Sequence, residues 1–133
     1  MDLPTLLGRN RALVRWGLSN VLHRPERRTQ ALIDEVYREA LEKRAGKAYA
    51  SWARSEVTWH GPRTETESRL HELAVPTLLI QGAKDKLVPV SFARRAHALI
   101  AHSQLAILPG CGHWVQRDDP QAFLQAVEPF LRA

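Results

Sequence analysis

The chain has 133 residues, the length of one domain, and its formal net charge is +5. Apolar residues make up 44% of it and charged residues 25%, a composition that excludes an intrinsically disordered protein. The single cysteine excludes an internal disulfide, and no apolar run approaches the roughly twenty residues that a membrane-spanning helix needs. With no secretory signal pattern and with arginines spread among acidic and apolar residues, we expect a cytoplasmic protein that binds neither membranes nor nucleic acid.

The first part of the chain has apolar residues at helical spacing. The pattern predicts three short helices over residues 3–57, the second with Thr29 as its N-cap and Gly46 just past its end, and the third over residues 47–57. Three tryptophans in this part could line an apolar pocket, although packing explains at least two of them more simply: Trp16, Trp52 and Trp59. Residues 58–68, with Gly61 and Pro62, read as a connection.

The pattern changes after residue 76. Residues 77–81 form an almost wholly apolar run that ends at Gly82, typical of a strand covered on both faces. A helix over residues 90–101, a second strand over 104–108 and a last helix from Asp119 or Pro120 follow. This order predicts two parallel strands joined by a helical crossover.

An acid and an imidazole follow these two strands. Asp85 comes shortly after the first strand and His113 shortly after the second, so both belong to the sheet rim where working groups gather in such folds. Each alone has a simpler explanation, Asp85 as a turn aspartate and His113 as a loop histidine. Their joint placement, with Gly110 and Gly112 allowing a sharp loop, favours a catalytic pair in which the carboxylate fixes the imidazole tautomer.

Residues 75–131, with VPTLLIQGAKDKLVP and GCGHW, resemble the C-terminal part of the α/β-hydrolase fold family, especially meta-cleavage-product hydrolases and related esterases. The resemblance implies an α/β fold class: a partial α/β-hydrolase fold with a helical lid (cap) over residues 1–68 and the last parallel strands and helices of a doubly wound sheet over residues 69–133. It implies Asp85 as the triad acid and His113 as the general base. Trp114 and Val88 are candidate substrate-binding residues, Trp114 being explained equally well as core. No cofactor is implied, and no metal site is predicted.

The sequence contains no G-x-S-x-G nucleophile elbow, and none of its six serines lies in one. Cys111, two residues before His113, is better explained as a small buried apolar group than as a nucleophile. We therefore expect part of a truncated or split hydrolase that is inactive alone. When complete, it would act on a small, partly apolar ester or a C–C bond next to a carbonyl, and its partner would be a missing N-terminal half or a second copy. The alternative is a noncatalytic interaction module or dimerising fragment.

Arg117, Asp118 and Asp119 are predicted to form a solvated turn, one of the two aspartates capping the last helix.

Overall fold

The structure, a computed structural model, describes residues 10–41, 47–59, 61–64 and 66–132. The chain divides into two compact units. We call them the helical unit, Met1–Leu18 with Arg28–Thr66, and the C-terminal unit, Ser19–Arg27 with Glu67–Ala133.

The helical unit is built from the three predicted helices, each of which is confirmed within the described residues. They are α1 (Arg11–Val21, whose last residues belong to the C-terminal unit), α2 (Gln30–Leu41) and α3 (Lys47–Glu56). The Thr29 hydroxyl accepts a hydrogen bond from the Leu32 N–H at 3.2 Å, which confirms Thr29 as the N-cap of α2. The predicted helical stretch before residue 10 and the stop at Gly46 lie outside the described residues.

Two expectations for this unit are wrong. β1 (Val57–Thr58) and β2 (Gly61–Pro62) pair as two short antiparallel strands, where residue 57 was expected to end the third helix and residues 58–68 to form a plain connection. Two-residue strands are too short to show a periodicity, and β2 begins at Gly61, whose φ of 112° favours glycine. The second error concerns the tryptophans. All three have side chains more than half exposed, so none is a core residue of the described structure: Trp16, Trp52 and Trp59.

The C-terminal unit contains the predicted strands, β3 (Thr77–Gly82) and β4 (Ser103–Leu108). They pair in parallel, from Thr77 opposite Ser103 to Gly82 opposite Leu108, which confirms the predicted pairing. The strand β3 is half-buried along most of its length rather than fully covered.

Helices α4 (Val90–Leu99) and α6 (Pro120–Arg132) pack on these strands, with a short helix α5 (Val115–Asp118) between β4 and α6. A 3-10 helix, Glu67–Glu72, precedes β3, and another, Pro25–Arg27, follows α1. Leu108, Cys111 and Val115 form a buried apolar cluster of the unit. Buried Cys111 fits its interpretation as a small apolar group.

The predicted solvated turn at residues 117–119 is wrong for Asp118, which is fully buried. Asp119 does cap α6, since its Oδ1 accepts a hydrogen bond from the Ala122 N–H at 3.0 Å. Within the described ranges, no helix is both long and apolar enough to cross a membrane.

Candidate active site

The loop after β3, residues 83–89, carries Asp85 and is called the Asp loop. Both oxygens of the Asp85 carboxylate accept hydrogen bonds. Oδ1 accepts from the Leu87 N–H at 2.8 Å and the Val88 N–H at 3.0 Å. Oδ2 accepts from the Gln81 side-chain amide at 2.7 Å. These contacts fix the carboxylate in one orientation at the end of the strand.

The loop after β4, residues 109–114, carries His113 and is called the His loop. His113 Nδ1 lies 2.9 Å from Asp85 Oδ2. The Asp85 side chain is 2% exposed, whereas the His113 side chain is 37% exposed. The structure therefore brings the two residues together as the sequence predicts, with the acid inside and one side of the imidazole accessible.

The pKa of Asp85 indicates whether Asp85 Oδ2 or His113 Nδ1 carries the proton of their hydrogen bond. Burial raises the pKa of this carboxyl, but the hydrogen bonds from Val88, His113, Leu87 and Gln81 outweigh burial and leave the pKa below its ordinary value. An ionised carboxylate only accepts hydrogen bonds, so Nδ1 must be the donor. In the neutral imidazole the other ring nitrogen, Nε2, then carries the lone pair.

Two glycines allow the two loops to approach. A Cβ on Gly82 would lie 2.0 Å from the Gly112 carbonyl oxygen and 2.4 Å from that of Cys111. The Lys84 N–H donates to the Cys111 carbonyl at 2.8 Å, which joins the loops through their backbones. Gly110, with φ of 68°, makes the turn that opens the His loop.

The two candidate substrate-binding residues lie beside this pair in the chain and are half-buried. Val88 contributes its backbone, donating to Asp85 and accepting from Gln81 at 3.1 Å. The Trp114 ring has the Arg117 guanidinium 5.6 Å from its centroid. A role for either side chain in substrate binding stays a prediction.

Sequence reasoning missed two polar residues of this region. Gln81 was treated only as the last residue of an apolar strand, although a lone amide in such a run is itself a signal that a polar partner lies at the strand end. Asp118 is buried and accepts hydrogen bonds from the His23 and Arg24 N–H groups, which lie far away in the chain. No local pattern announces such a contact.

The helical unit has a pocket of about 290 Å³, which is lined by Trp59 with Val57 and Thr58.

Across the residues that the structure describes, no group of three or more His, Cys, Asp or Glu side chains could hold a metal ion.

The α/β hydrolase family profile matches residues 2–126 of the sequence. The chain belongs to the α/β hydrolase family. The fold class inferred from the sequence is therefore confirmed, and the suspected family is the right one.

Individual α/β hydrolases resemble the chain over most of its length. It is 34% identical over 104 residues to 2-hydroxy-6-oxo-6-(2'-aminophenyl)hexa-2,4-dienoic acid hydrolase of Metapseudomonas resinovorans, which covers 76% of this chain and 34% of that protein. A serine hydrolase involved in carbazole degradation superposes with a TM-score of 0.77 at 29% identity, over 92% of this chain and 47% of that one. The meta-cleavage product hydrolase of Pseudomonas fluorescens IP01 has the same fold, with a TM-score of 0.79 at 23% identity, over 98% of this chain and 49% of that one.

The chain spans 27% to 34% of the length of the first curated relatives and about half of the length of these two solved structures.

Proposed function

We propose that this chain provides the acid and the general base of an α/β-hydrolase triad. The observation that carries the proposal is the 2.9 Å contact between His113 Nδ1 and the buried, ionised Asp85 carboxylate. Support for the substrate class comes from relatives whose names describe hydrolysis of 2-hydroxy-6-oxo dienoic acids. The proposed reaction is hydrolysis of a C–C bond next to a carbonyl, or of a small, partly apolar ester.

In this proposal His113 moves protons and Asp85 holds His113. Nε2 of His113 takes the proton of the attacking hydroxyl and gives it to the leaving group. It then takes a proton from the hydrolytic water and returns it to the nucleophile oxygen when the covalent intermediate breaks down. The imidazolium formed in each step is stabilised by the Asp85 carboxylate on the opposite ring nitrogen. Trp114 and Val88 are the proposed side chains of the adjoining substrate wall.

The nucleophile and the oxyanion hole are proposed to come from the part of the hydrolase fold that this chain does not span. The sequence has no G-x-S-x-G elbow, and the elbow supplies both the attacking hydroxyl and a backbone N–H of the oxyanion hole. Residues 1–68 are proposed as the cap segment of the hydrolase. Cys111 is a poor substitute nucleophile, because burial raises the pKa of its thiol.

A chimera tests the proposal directly. This chain replaces the matching part of the serine hydrolase involved in carbazole degradation, so that the host supplies the remaining part of the fold. Hydrolysis of a short-chain p-nitrophenyl ester and of a 2-hydroxy-6-oxo dienoic acid is then measured. We expect the chimera to be active, this chain alone to be inactive, and His113→Ala to lower kcat in the chimera by about four orders of magnitude.

The matched control is His102→Ala, because His102 is an exposed histidine of the same unit and should leave activity unchanged. A chimera that keeps its activity without the His113 imidazole would refute the catalytic pair. Ester hydrolysis by this chain alone would refute the assignment of the nucleophile to another segment. A stable dimer without activity in either form would favour the noncatalytic interaction module.

A further inference from the structure

The buried carboxylate of Asp118 has no part in the proposed proton transfers. It accepts three backbone hydrogen bonds, from the Gly112 N–H at 2.6 Å and from the His23 and Arg24 N–H groups at 2.9 Å each. Burying a carboxylate is costly unless such charge-assisted bonds compensate for lost hydration. The side chain therefore joins the His loop to His23 and Arg24, which lie 95 and 94 positions before Asp118 in the chain.

The backbone on both sides of His113 is held by the same early stretch. On one side, Asp118 ties Gly112 to residues 23–24; on the other, the Trp114 N–H donates to the Val21 carbonyl at 3.0 Å. Gly112 has no space for a side chain, since a Cβ there would lie 2.8 Å from the Val21 carbonyl oxygen. The backbone position of His113 is thus fixed by the hydrogen bonds of Gly112 and Trp114, the residues on either side of it.

The stretch of residues 19–24 also contacts the Asp loop and the far end of the His loop. Lys86 Nζ donates to the Ser19 carbonyl at 3.1 Å. Arg24 donates to the Gly110 carbonyl at 3.4 Å and forms an ion pair with Asp119 at 2.6 Å. One short segment therefore touches both loops that carry the candidate pair.

We propose that Asp118 is a positioning residue for His113. By holding Gly112 against residues 23–24, it sets where the imidazole stands relative to the Asp85 carboxylate. The catalytic consequence rests on the proposed function, whereas the positioning itself does not. Asp118 acts through the backbone of the His loop and does not touch the reacting groups.

The test is Asp118→Asn in the full chain, with the imidazole nitrogens of His113 observed by NMR. Asparagine keeps the size of the side chain but loses the charge and presents an NH2 group to N–H donors. In the wild-type chain we expect the shifts of a single tautomer with the proton on Nδ1. In the folded variant we expect the hydrogen-bonded Nδ1–H signal to be lost and the two tautomers to mix.

Glu128→Gln is the matched control, because it removes an exposed carboxylate of the same unit, whose partner in the described structure is Arg132 of α6. Its His113 signals should equal those of the wild type. A folded Asp118→Asn chain with unchanged His113 signals would overturn the proposal, since a merely structural aspartate would leave the imidazole as it was.

Where Asp118→Asn does not fold, amide hydrogen exchange of the wild-type chain decides. We expect the Gly112, His23 and Arg24 amides to exchange at least about a hundredfold more slowly than in an unfolded chain. Rates close to unfolded values would overturn the proposal. In the active chimera the variant should lower kcat by up to about a hundredfold with KM nearly unchanged. Because the NMR and exchange experiments need no turnover, an inactive chimera would count against the proposed function alone.

Discussion

The two oxygens of Asp85 serve two different partners. Oδ1 closes the turn by accepting from the backbone of Leu87 and Val88, which is the role of an ordinary turn aspartate. Oδ2 faces Gln81 and His113. The two explanations that the sequence left open for this residue are therefore compatible, because each uses a different oxygen of the same carboxylate.

The lowered pKa of Asp85 predicts a specific loss of stability in acid. A carboxyl whose pKa is lower in the folded than in the unfolded chain stabilises the fold fully above the unfolded pKa, about 3.9, and this contribution disappears as the pH falls through the folded pKa. We expect the free energy of unfolding of the wild type to fall more steeply from pH 5 to pH 3 than that of Asp85→Asn. Urea unfolding at pH 7, 5, 4 and 3 measures this difference.

The control for this experiment is Glu128→Gln, which removes an exposed carboxylate paired with Arg132 on α6. Its stability curve should stay close to that of the wild type, since exposed helical ion pairs contribute little. If wild type and Asp85→Asn lose stability in parallel, the carboxylate is not held as described.

Gly82 and Gly17 offer a matched pair of glycine substitutions. A methyl group at Gly82 would collide with the backbone of Cys111 and Gly112, whereas nothing lies within 4 Å of one at Gly17 inside α1. We expect Gly82→Ala to destabilise the chain by more than about 2 kcal/mol and Gly17→Ala to stabilise it by about 0.5–1 kcal/mol. Thermal unfolding of both variants measures the effect. Equal small effects would mean that the loops do not approach at Gly82.

At the scale of the elements, the N-cap of α2 can be recognised from the local sequence, and its contribution to the stability of the chain can be measured. Thr29 bonds the N–H of Leu32 at the start of α2, so Thr29→Ala should destabilise the chain by about 1 kcal/mol. Thr29→Ser keeps the hydroxyl and should cost much less. Urea unfolding of the two variants tests whether the hydroxyl or the β-branched shape is responsible. A serine variant as unstable as the alanine variant would argue against the cap.

The secondary-structure elements that could be predicted are those determined by a local sequence pattern, that is, by residues close together in the chain. Helical periodicity with a cap identified α2, and an apolar run ended by glycine identified β3. The approach of Asp85 and His113 followed from the rule that parallel strand ends share a rim. The same reasoning failed for Asp118, because its partners His23 and Arg24 are 95 and 94 residues away and leave no trace in the local pattern.

At the scale of the whole molecule, residues of β3, β4, α5 and α6 pack around Cys111. Its buried thiol lies in the cluster with Leu108 and Val115, against which Ile80 of β3 and Phe123 of α6 pack. The thiol is therefore accessible only when the His loop, to which Cys111 belongs, moves away from these residues. Its chemical reactivity reports on how firmly the His loop is closed against β3 and α6.

We expect Cys111 to react with a thiol reagent such as 5,5'-dithiobis(2-nitrobenzoic acid) about a thousandfold more slowly in the native chain than in urea. Burial both raises the pKa of this thiol and excludes the reagent, so labelling must wait for the His loop to open, which is rare where the loop is packed and hydrogen-bonded. The control carries Ala101→Cys in a Cys111→Ala background, which places the thiol at an exposed turn and should label rapidly in the native state. Native labelling of Cys111 at the rate of this control would show that strands and helix do not close over the thiol, and the geometry that joins Asp85 to His113 would lose its support.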